Sequence, residues 1–377
     1  MPTVEHVPAE VMQSTSSVPK LSCKNLWKVY GSNPKAWFQD EAARSDPAAL
    51  AARMRESGLI PAAVNVSFDV AKGEIFVIMG LSGSGKSTVV RCLSRLVEPS
   101  HGEILLDGED LLRKSARELI EIRRHKIGMV FQNFGLMPHL NVTENIAFPL
   151  RLQGMAERER RSRVEKVIAL VGLEGREASY PHQLSGGQQQ RIGIARSLAT
   201  EPELWLLDEP FSALDPMIRR QMQDEFLHIQ QKLRKSIVFI THDFLEALRI
   251  ADRIMLMRDG QIVQIGRPVD LIINPADEYV AEFTRDVPLV RVLKAADVLV
   301  DAAPEGSDTL PEVDSETTIE DLLPMLAGRH DGLSVTRANQ RIGYVTPASL
   351  IDALARRADL HGAAMRGTEE TLAESAG

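Results

Sequence analysis

Nowhere in the 377 residues is there an apolar run of about 18, the length a helix needs to span a bilayer, so no transmembrane helix is expected. The opening MPTVEHVPAEVMQSTSSVPK lacks the basic start and apolar core of a secretory signal, and residues 1–20 read instead as a disordered tail. Cysteine is scarce. Cys23 and Cys92 are the only two, both in apolar-flanked segments, which favours packed, reduced thiols over a disulfide or a metal site. There is also no general excess of positive charge. The net charge is −8, but residues 286–377 hold 16 acidic and 8 basic side chains, which leaves 36 of each in 1–285. A neutral main body argues against a nucleic-acid partner. The basic runs at 123–126 and 157–166 read as solvated helix faces.

What is present alternates between apolar runs and helical stretches, the pattern of a parallel sheet covered on both faces. LSCKNLWKVY at 21–30 reads as a strand, and residues 35–60 as a helical insertion. AAVNVSFDV at 62–70 is a second strand, and 89–97 an apolar helix. HGEILLDGEDL at 101–111 and RIMLMRDGQIVQIG at 253–266 read as hairpins turning at Asp107-Gly108 and Asp259-Gly260. Residues 115–185 read as largely helical, with breaks at 131–142 and around Pro181. LWLLDE and SIVFITH are short buried strands either side of a helix over 216–234. From 286 the character shifts, and DAAPEGSDTLPEVDSET at 301–317 reads as a linker or long loop.

One stretch carries chemistry outright. In GEIFVIMGLSGSGKST a strand breaks into Gly80-x4-Gly85-Lys86-Ser87 and resumes as helix. That is the phosphate-loop pattern in its proper strand–loop–helix setting. Glycines let successive N–H groups face phosphate oxygens, and the helix start adds partial positive charge. Gly80, Ser82, Gly83, Ser84, Gly85, Lys86, Ser87 and Thr88 are therefore expected to hold a nucleotide's phosphates, with Lys86 on the β- and γ-phosphates and Ser87 on Mg²⁺. In LWLLDEP a buried strand delivers Asp208 and Glu209 to its C-terminal end, where open α/β sheets bind ligands. Asp208 suits the Mg²⁺ shell, and Glu209 suits a base for the attacking water.

Leu184-Ser185-Gly186-Gly187-Gln188, followed by QQRIGIARSLA, resembles the signature of ATP-binding-cassette ATPases. It lies 99 residues after Lys86 and 23 before Asp208. The resemblance implies an α/β fold: a P-loop core sheet with an antiparallel β subdomain and a helical subdomain. It also implies a head-to-tail homodimer with two ATP molecules sandwiched, each between one phosphate loop and the other subunit's Ser185, Gly186, Gly187 and Gln188. By the same resemblance Gln132 contacts Mg²⁺ and water and Asp215 crosses the dimer interface. His242 hydrogen-bonds the γ-phosphate and Tyr30 stacks on adenine. The segment Gln132–His139 is then expected beside an integral-membrane permease. Glu209, His242, Gln132 and Lys86 are the expected catalytic set, and Ser87, Gln132 and Asp208 the expected metal ligands.

Across about 21–285, KNLWKVYG, the 35–60 insertion, FQNFGLMPHLNVTENIAF, SYPHQLSGGQQQRIGIARSLA and HDFLEALRIADRI look like the quaternary-amine importer ATPases. This implies ATP-driven uptake of glycine betaine, proline betaine or choline at the cytoplasmic face of the inner membrane, with a separate solute-binding protein. An importer of an amino acid or polyamine is the alternative. Cassettes of DNA repair interpose hundreds of residues between loop and signature, and those of translation carry two cassettes; neither fits. Residues 286–377 form a C-terminal region in which 317–354 resembles one degenerate CBS module of helix, strand, turn, strand, helix. Ser349 stands where ligand-binding modules often carry an Asp, so nucleotide sensing there is not expected.

Overall fold

The computed structural model describes residues 18–39, 45–131, 135–212, 214–304 and 310–355. Residues 1–17 of the tail expected over 1–20 lie outside them, while Lys20 departs from that expectation: it is buried and its N–H donates to the Val70 carbonyl at 2.8 Å. In chain order the strands are β1 Leu21–Tyr30, β2 Ile60–Val70, β3 Ile75–Met79, β4 His101–Leu106, β5 Glu109–Asp110, β6 Ile127–Val130 and β7 Leu204–Asp208. They continue as β8 Ser236–Ile240, β9 Arg253–Arg258, β10 Gln261–Gly266, β11 Glu312–Asp314, β12 Leu333–Arg337 and β13 Gln340–Val345. The helices are α1 Pro47–Glu56, α2 Lys86–Leu93, α3 Ala116–His125, α4 Val142–Leu152, α5 Glu157–Leu170, α6 Gly186–Ala199, α7 Pro216–Leu233, α8 Phe244–Ile250, α9 Pro268–Ile273, α10 Glu278–Phe283, α11 Leu289–Val292 and α12 Ile319–Leu326.

The chain divides into two compact units, 1–74 with 87–238, and 75–86 with 239–377. In the first, an antiparallel sheet runs β2-β1-β4-β5, and β6 pairs in parallel with β7. The Asp107-Gly108 turn joins β4 to β5 with φ of 51° and 82°, both left-handed as a two-residue hairpin requires. The insertion after β1 is a 3₁₀ turn at Pro34–Phe38 followed by α1, whose N-cap Asp46 accepts the Ala49 N–H at 3.0 Å. Its apolar side, Phe38, Leu50, Ala51 and Met54, packs on Trp27, Val29 and Val64 of the sheet. Residue 60, expected in the insertion, already belongs to β2.

Two further expectations are corrected here. The helix after the phosphate loop begins at Lys86 rather than 89 and ends at Leu93, with Arg95 left-handed at φ 51°. β6 interrupts a stretch read as helical. Four residues are too few to show a period, and the partner β7 is remote in sequence. Gly128 has no room for a side chain there: a Cβ would stand 2.7 Å from both Pro202 and the Ser197 hydroxyl.

In the second unit β3 pairs in parallel with β9, and β9 antiparallel with β10. β3 is buried at every residue, as its unbroken apolar sequence requires, and so is β7 of the first unit. The C-terminal part of this unit is the sheet β11-β12-β13 with α12 and a helix over 347–355. Leu293, Ile319, Leu322, Leu333, Val335, Val345 and Leu350 share one core, which Val269 of α9 also enters. β11 lies within the acidic stretch read as a linker; it pairs in parallel with β12 from Glu312↔Ser334 to Asp314↔Thr336.

Candidate functional site

The loop after β3 is shaped by backbone conformations that side chains resist. Gly80, Gly83 and Gly85 have φ of 147°, 84° and 97°. A Cβ on Gly80 would lie 2.3 Å from the Met257 carbonyl oxygen and 2.6 Å from the Ser84 hydroxyl. The loop curls around an ammonium group: Lys86 Nζ donates to the carbonyls of Gly80 at 2.8 Å and Leu81 at 2.9 Å. Lys86 is buried, while Leu81, Ser82 and Gly83 lie open at the tip. The Gly260 N–H, from the β9–β10 turn, donates to the Ser84 carbonyl at 3.1 Å. These contacts all belong to the unit that holds 75–86.

In the unit that holds 87–238, hard oxygen donors lie side by side. β7 ends at Asp208, which is buried, and Ser87 Oγ donates to Asp208 Oδ1 at 2.9 Å. Arg91 Nη2 stands 3.8 Å from the same carboxylate. A hydroxyl and a carboxylate side by side form a donor set suited to Mg²⁺, which takes few protein oxygens and completes its shell with phosphate and water. Glu209, half-buried, sits at φ 45°, a left-handed conformation uncommon outside glycine and costly to hold. Its carbonyl accepts from the Ser212 N–H at 3.3 Å and the Ser212 hydroxyl at 3.0 Å. Thr88 follows Ser87 into α2 and is partly buried.

The signature forms the start of α6. Ser185 is its N-cap, with the hydroxyl accepting the Gln188 N–H at 3.3 Å and the Gln188 side chain accepting the Ser185 N–H at 3.0 Å. This capping box holds the first turn with Ser185 and Gly186 exposed. Gly187 is different: it is buried, and a Cβ would meet Ile218 Cγ2 of α7 at 2.6 Å. Asp215 caps α7, accepting the Ile218 N–H at 3.1 Å. Tyr30, at the end of β1, is 41% exposed with Lys28 Nζ 4.7 Å from its ring centre. In the second unit His242 follows β8 and is exposed, preceded by Thr241, whose N–H donates to the Ile78 carbonyl at 3.3 Å.

Gln132 lies outside the described residues, but main-chain groups at 135–140 are bonded by two side chains. Arg196 Nη1 of α6 donates to the Gly135 carbonyl at 2.6 Å, and burial lowers the pKa of this guanidinium. Asn145, fully buried on α4, accepts the Met137 N–H at 2.9 Å and donates to the carbonyls of Met137 at 3.1 Å and Leu140 at 2.8 Å. Sequence reading missed both residues. An asparagine on the apolar face of α4 was the available signal, since a buried amide must find partners.

A family model described as "ABC transporter" matches residues 63–212. The ATP-binding protein TmoW of a trimethylamine N-oxide transport system in Pelagibacter ubique is 48% identical over 336 residues, 89% of this chain and 97% of that protein. The ATP-binding protein ProV of the Escherichia coli glycine betaine/proline betaine transport system is 44% identical over 346 residues, 91% of this chain and 85% of its own. Among solved structures, the dimeric post-hydrolysis state of the ATP-binding cassette MJ0796 bound to ADP and Pi matches with TM-score 0.55 and 34% identity, covering 66% of this chain and 98% of that one.

Proposed function

Because the chain belongs to the ATP-binding-cassette transporter family and is an ABC ATPase, we propose that it energises import of a small methylated amine such as glycine betaine, proline betaine, choline or trimethylamine N-oxide. The observation that carries this reading is the near-full-length similarity to ATP-binding proteins of trimethylamine N-oxide and glycine betaine/proline betaine transport systems.

In this reading the loop from Gly80 to Thr88 holds the ATP phosphates, and Lys86, whose ammonium has three N–H donors, reaches a phosphate oxygen while the Gly80 and Leu81 carbonyls keep it seated. Ser87 and Asp208 are the groups that would hold Mg²⁺, joined by Gln132. The ion would neutralise charge on the β- and γ-phosphates. Glu209 orients and deprotonates water, His242 hydrogen-bonds the γ-phosphate, and Tyr30 offers its exposed ring to adenine. The capped, exposed start of α6 supports a role for Ser185 and Gly186 at the γ-phosphate bound by a second copy of the chain, with Asp215 at the same interface. Closure of two copies around ATP would then be a switch driven by ligand contacts.

No described helix is long and apolar enough to cross a membrane. We place the chain on the cytoplasmic face of the inner membrane, bound to permease subunits through the segment that Asn145 and Arg196 clamp. A separate solute-binding protein supplies the cargo. The C-terminal region, with its CBS-like module around 317–354, serves as a packing or dimer-contact element.

The test is uptake of labelled glycine betaine, choline and trimethylamine N-oxide in cells lacking the chain, complemented by wild type or Glu209→Gln. Uptake restored by wild type alone supports the proposal and ranks the solutes. No difference for any of the three sinks the substrate class and turns attention to amino acids or polyamines.

A further inference from the structure

The Gly80–Leu81 peptide is gripped from both sides. Its carbonyl accepts from Lys86 Nζ at 2.8 Å, and its N–H donates to the Tyr279 hydroxyl at 3.3 Å. The same hydroxyl donates to the Met257 carbonyl at 3.2 Å. That carbonyl is also the atom crowding Gly80, so loop, β9 and Tyr279 meet at one point. A peptide is planar, so fixing its N–H fixes the direction of its carbonyl. Here that carbonyl is one of the two that seat the Lys86 ammonium.

Tyr279 is itself held. It lies on α10, whose N-cap Asp277 accepts the Val280 N–H at 3.0 Å and pairs with Arg258 at 3.1 Å. The Arg258 guanidinium lies 4.9 Å from the Tyr279 ring centre, and Phe283 packs edge-on at 5.2 Å. Burial raises the phenol's pKa, which keeps it a hydrogen-bond donor to Met257 throughout the neutral range. Beyond α10 the chain runs into α11, where Leu289 packs against the core of the C-terminal region.

We propose that Tyr279 is a positioning residue for the phosphate loop: its hydroxyl holds the Gly80–Leu81 peptide in the orientation that seats Lys86 for the nucleotide phosphates. A phenol on a helix far along the chain thereby sets nucleotide affinity without touching nucleotide. The inference rests on the reading of the loop as the ATP-phosphate site.

The experiment uses the full chain and four proteins: wild type, Tyr279→Phe, Phe283→Leu and Lys86→Ala. Binding of a fluorescent ATP analogue and steady-state ATPase kinetics are measured on each. Losing one neutral hydrogen bond predicts a rise of about three- to tenfold in Kd and KM for Tyr279→Phe, with kcat within about twofold of wild type. Phe283→Leu loosens the packing of α10 but keeps the hydroxyl, and its KM stays near wild type. Wild-type KM in Tyr279→Phe, an equal rise in Phe283→Leu, or a loss confined to kcat each overturn the assignment. Lys86→Ala separates the two levels. If it abolishes binding, the loop reading stands whatever Tyr279→Phe does; if it binds as wild type, that reading fails and the role of Tyr279 with it.

Discussion

Ser87 Oγ donates to Asp208 Oδ1 at 2.9 Å, joining the residue after the phosphate-loop lysine to the last residue of a buried strand 121 positions later. In the proposed Mg²⁺ site each group would be an oxygen ligand, and each holds the other in place. Ser87→Ala should therefore raise the Mg²⁺ concentration needed for half-maximal ATPase activity by about tenfold or more, the scale seen when metal-site partners are removed. Nucleotide binding measured in EDTA should change little. An unchanged Mg²⁺ titration would remove Ser87 from the metal shell.

Glu209 combines a left-handed backbone with the proposed role of base. Glu209→Gln keeps shape and hydrogen bonding but cannot take a proton, so turnover should fall by about 10²–10⁴-fold while ATP binding persists. Glu209→Gly removes the same carboxylate and also relieves a left-handed φ costing about 1–2 kcal/mol, against a similar entropic loss in the unfolded chain. Its folding stability should stay within about 1 kcal/mol of wild type by urea denaturation. A large loss of stability would mean that the carboxylate is a structural anchor.

Gly187 is pressed against Ile218, so the signature glycine has a packing duty apart from any phosphate. Gly187→Ala should destabilise the fold by about 1–3 kcal/mol through overpacking. Adding Ile218→Ala should recover most of that loss. ATPase activity of the double variant then isolates the functional part: if it returns with stability, Gly187 serves packing alone.

Lys20 is buried where it bonds Asp107 at 2.7 Å and also Glu203. Burial presses its pKa down, but the two carboxylates outweigh this and the net shift is upward from 10.5. A pKa raised by folding stabilises the folded state fully below the unfolded value and loses that contribution as pH climbs through the folded one. Lys20→Met should cost about 1–2 kcal/mol at neutral pH, discounted for the exposed carboxylates. The difference from wild type should hold steady through neutral pH and shrink only above about 10.5. A gap that closes below pH 9 would contradict the assignment.

The parts of the site that are legible in the sequence are those whose chemistry is written locally. Gly80 and Gly85 announce a backbone that side chains cannot follow, and Asp208 ends an apolar run that must be buried. The two Asp-Gly hairpins at 107–108 and 259–260 are legible for the same reason. Arg196 and Tyr279 were not, because each acts on main-chain groups that only the fold brings near, and Asn145, whose partners are close in the chain, was passed over as one more residue of a helix face. A lone arginine or tyrosine carries no period or spacing that names a remote carbonyl or N–H as its partner. β6 escaped notice because a four-residue strand gains its stability from a partner strand far along the chain.

The two thiols have a practical consequence. Cys23 is buried with its thiol 3.6 Å from the Val66 carbonyl, and Cys92 is buried on α2. Burial pushes both pKa values up, to about 12 for Cys92, and since the thiolate is the reactive form, neither sulfur offers a nucleophile at neutral pH. The native chain is thus a silent background for maleimide dyes. A single cysteine placed at Met217, 81% exposed in the first turn of α7, becomes the one attachment point for a fluorophore reporting the approach of a second subunit, with no wild-type residue sacrificed elsewhere.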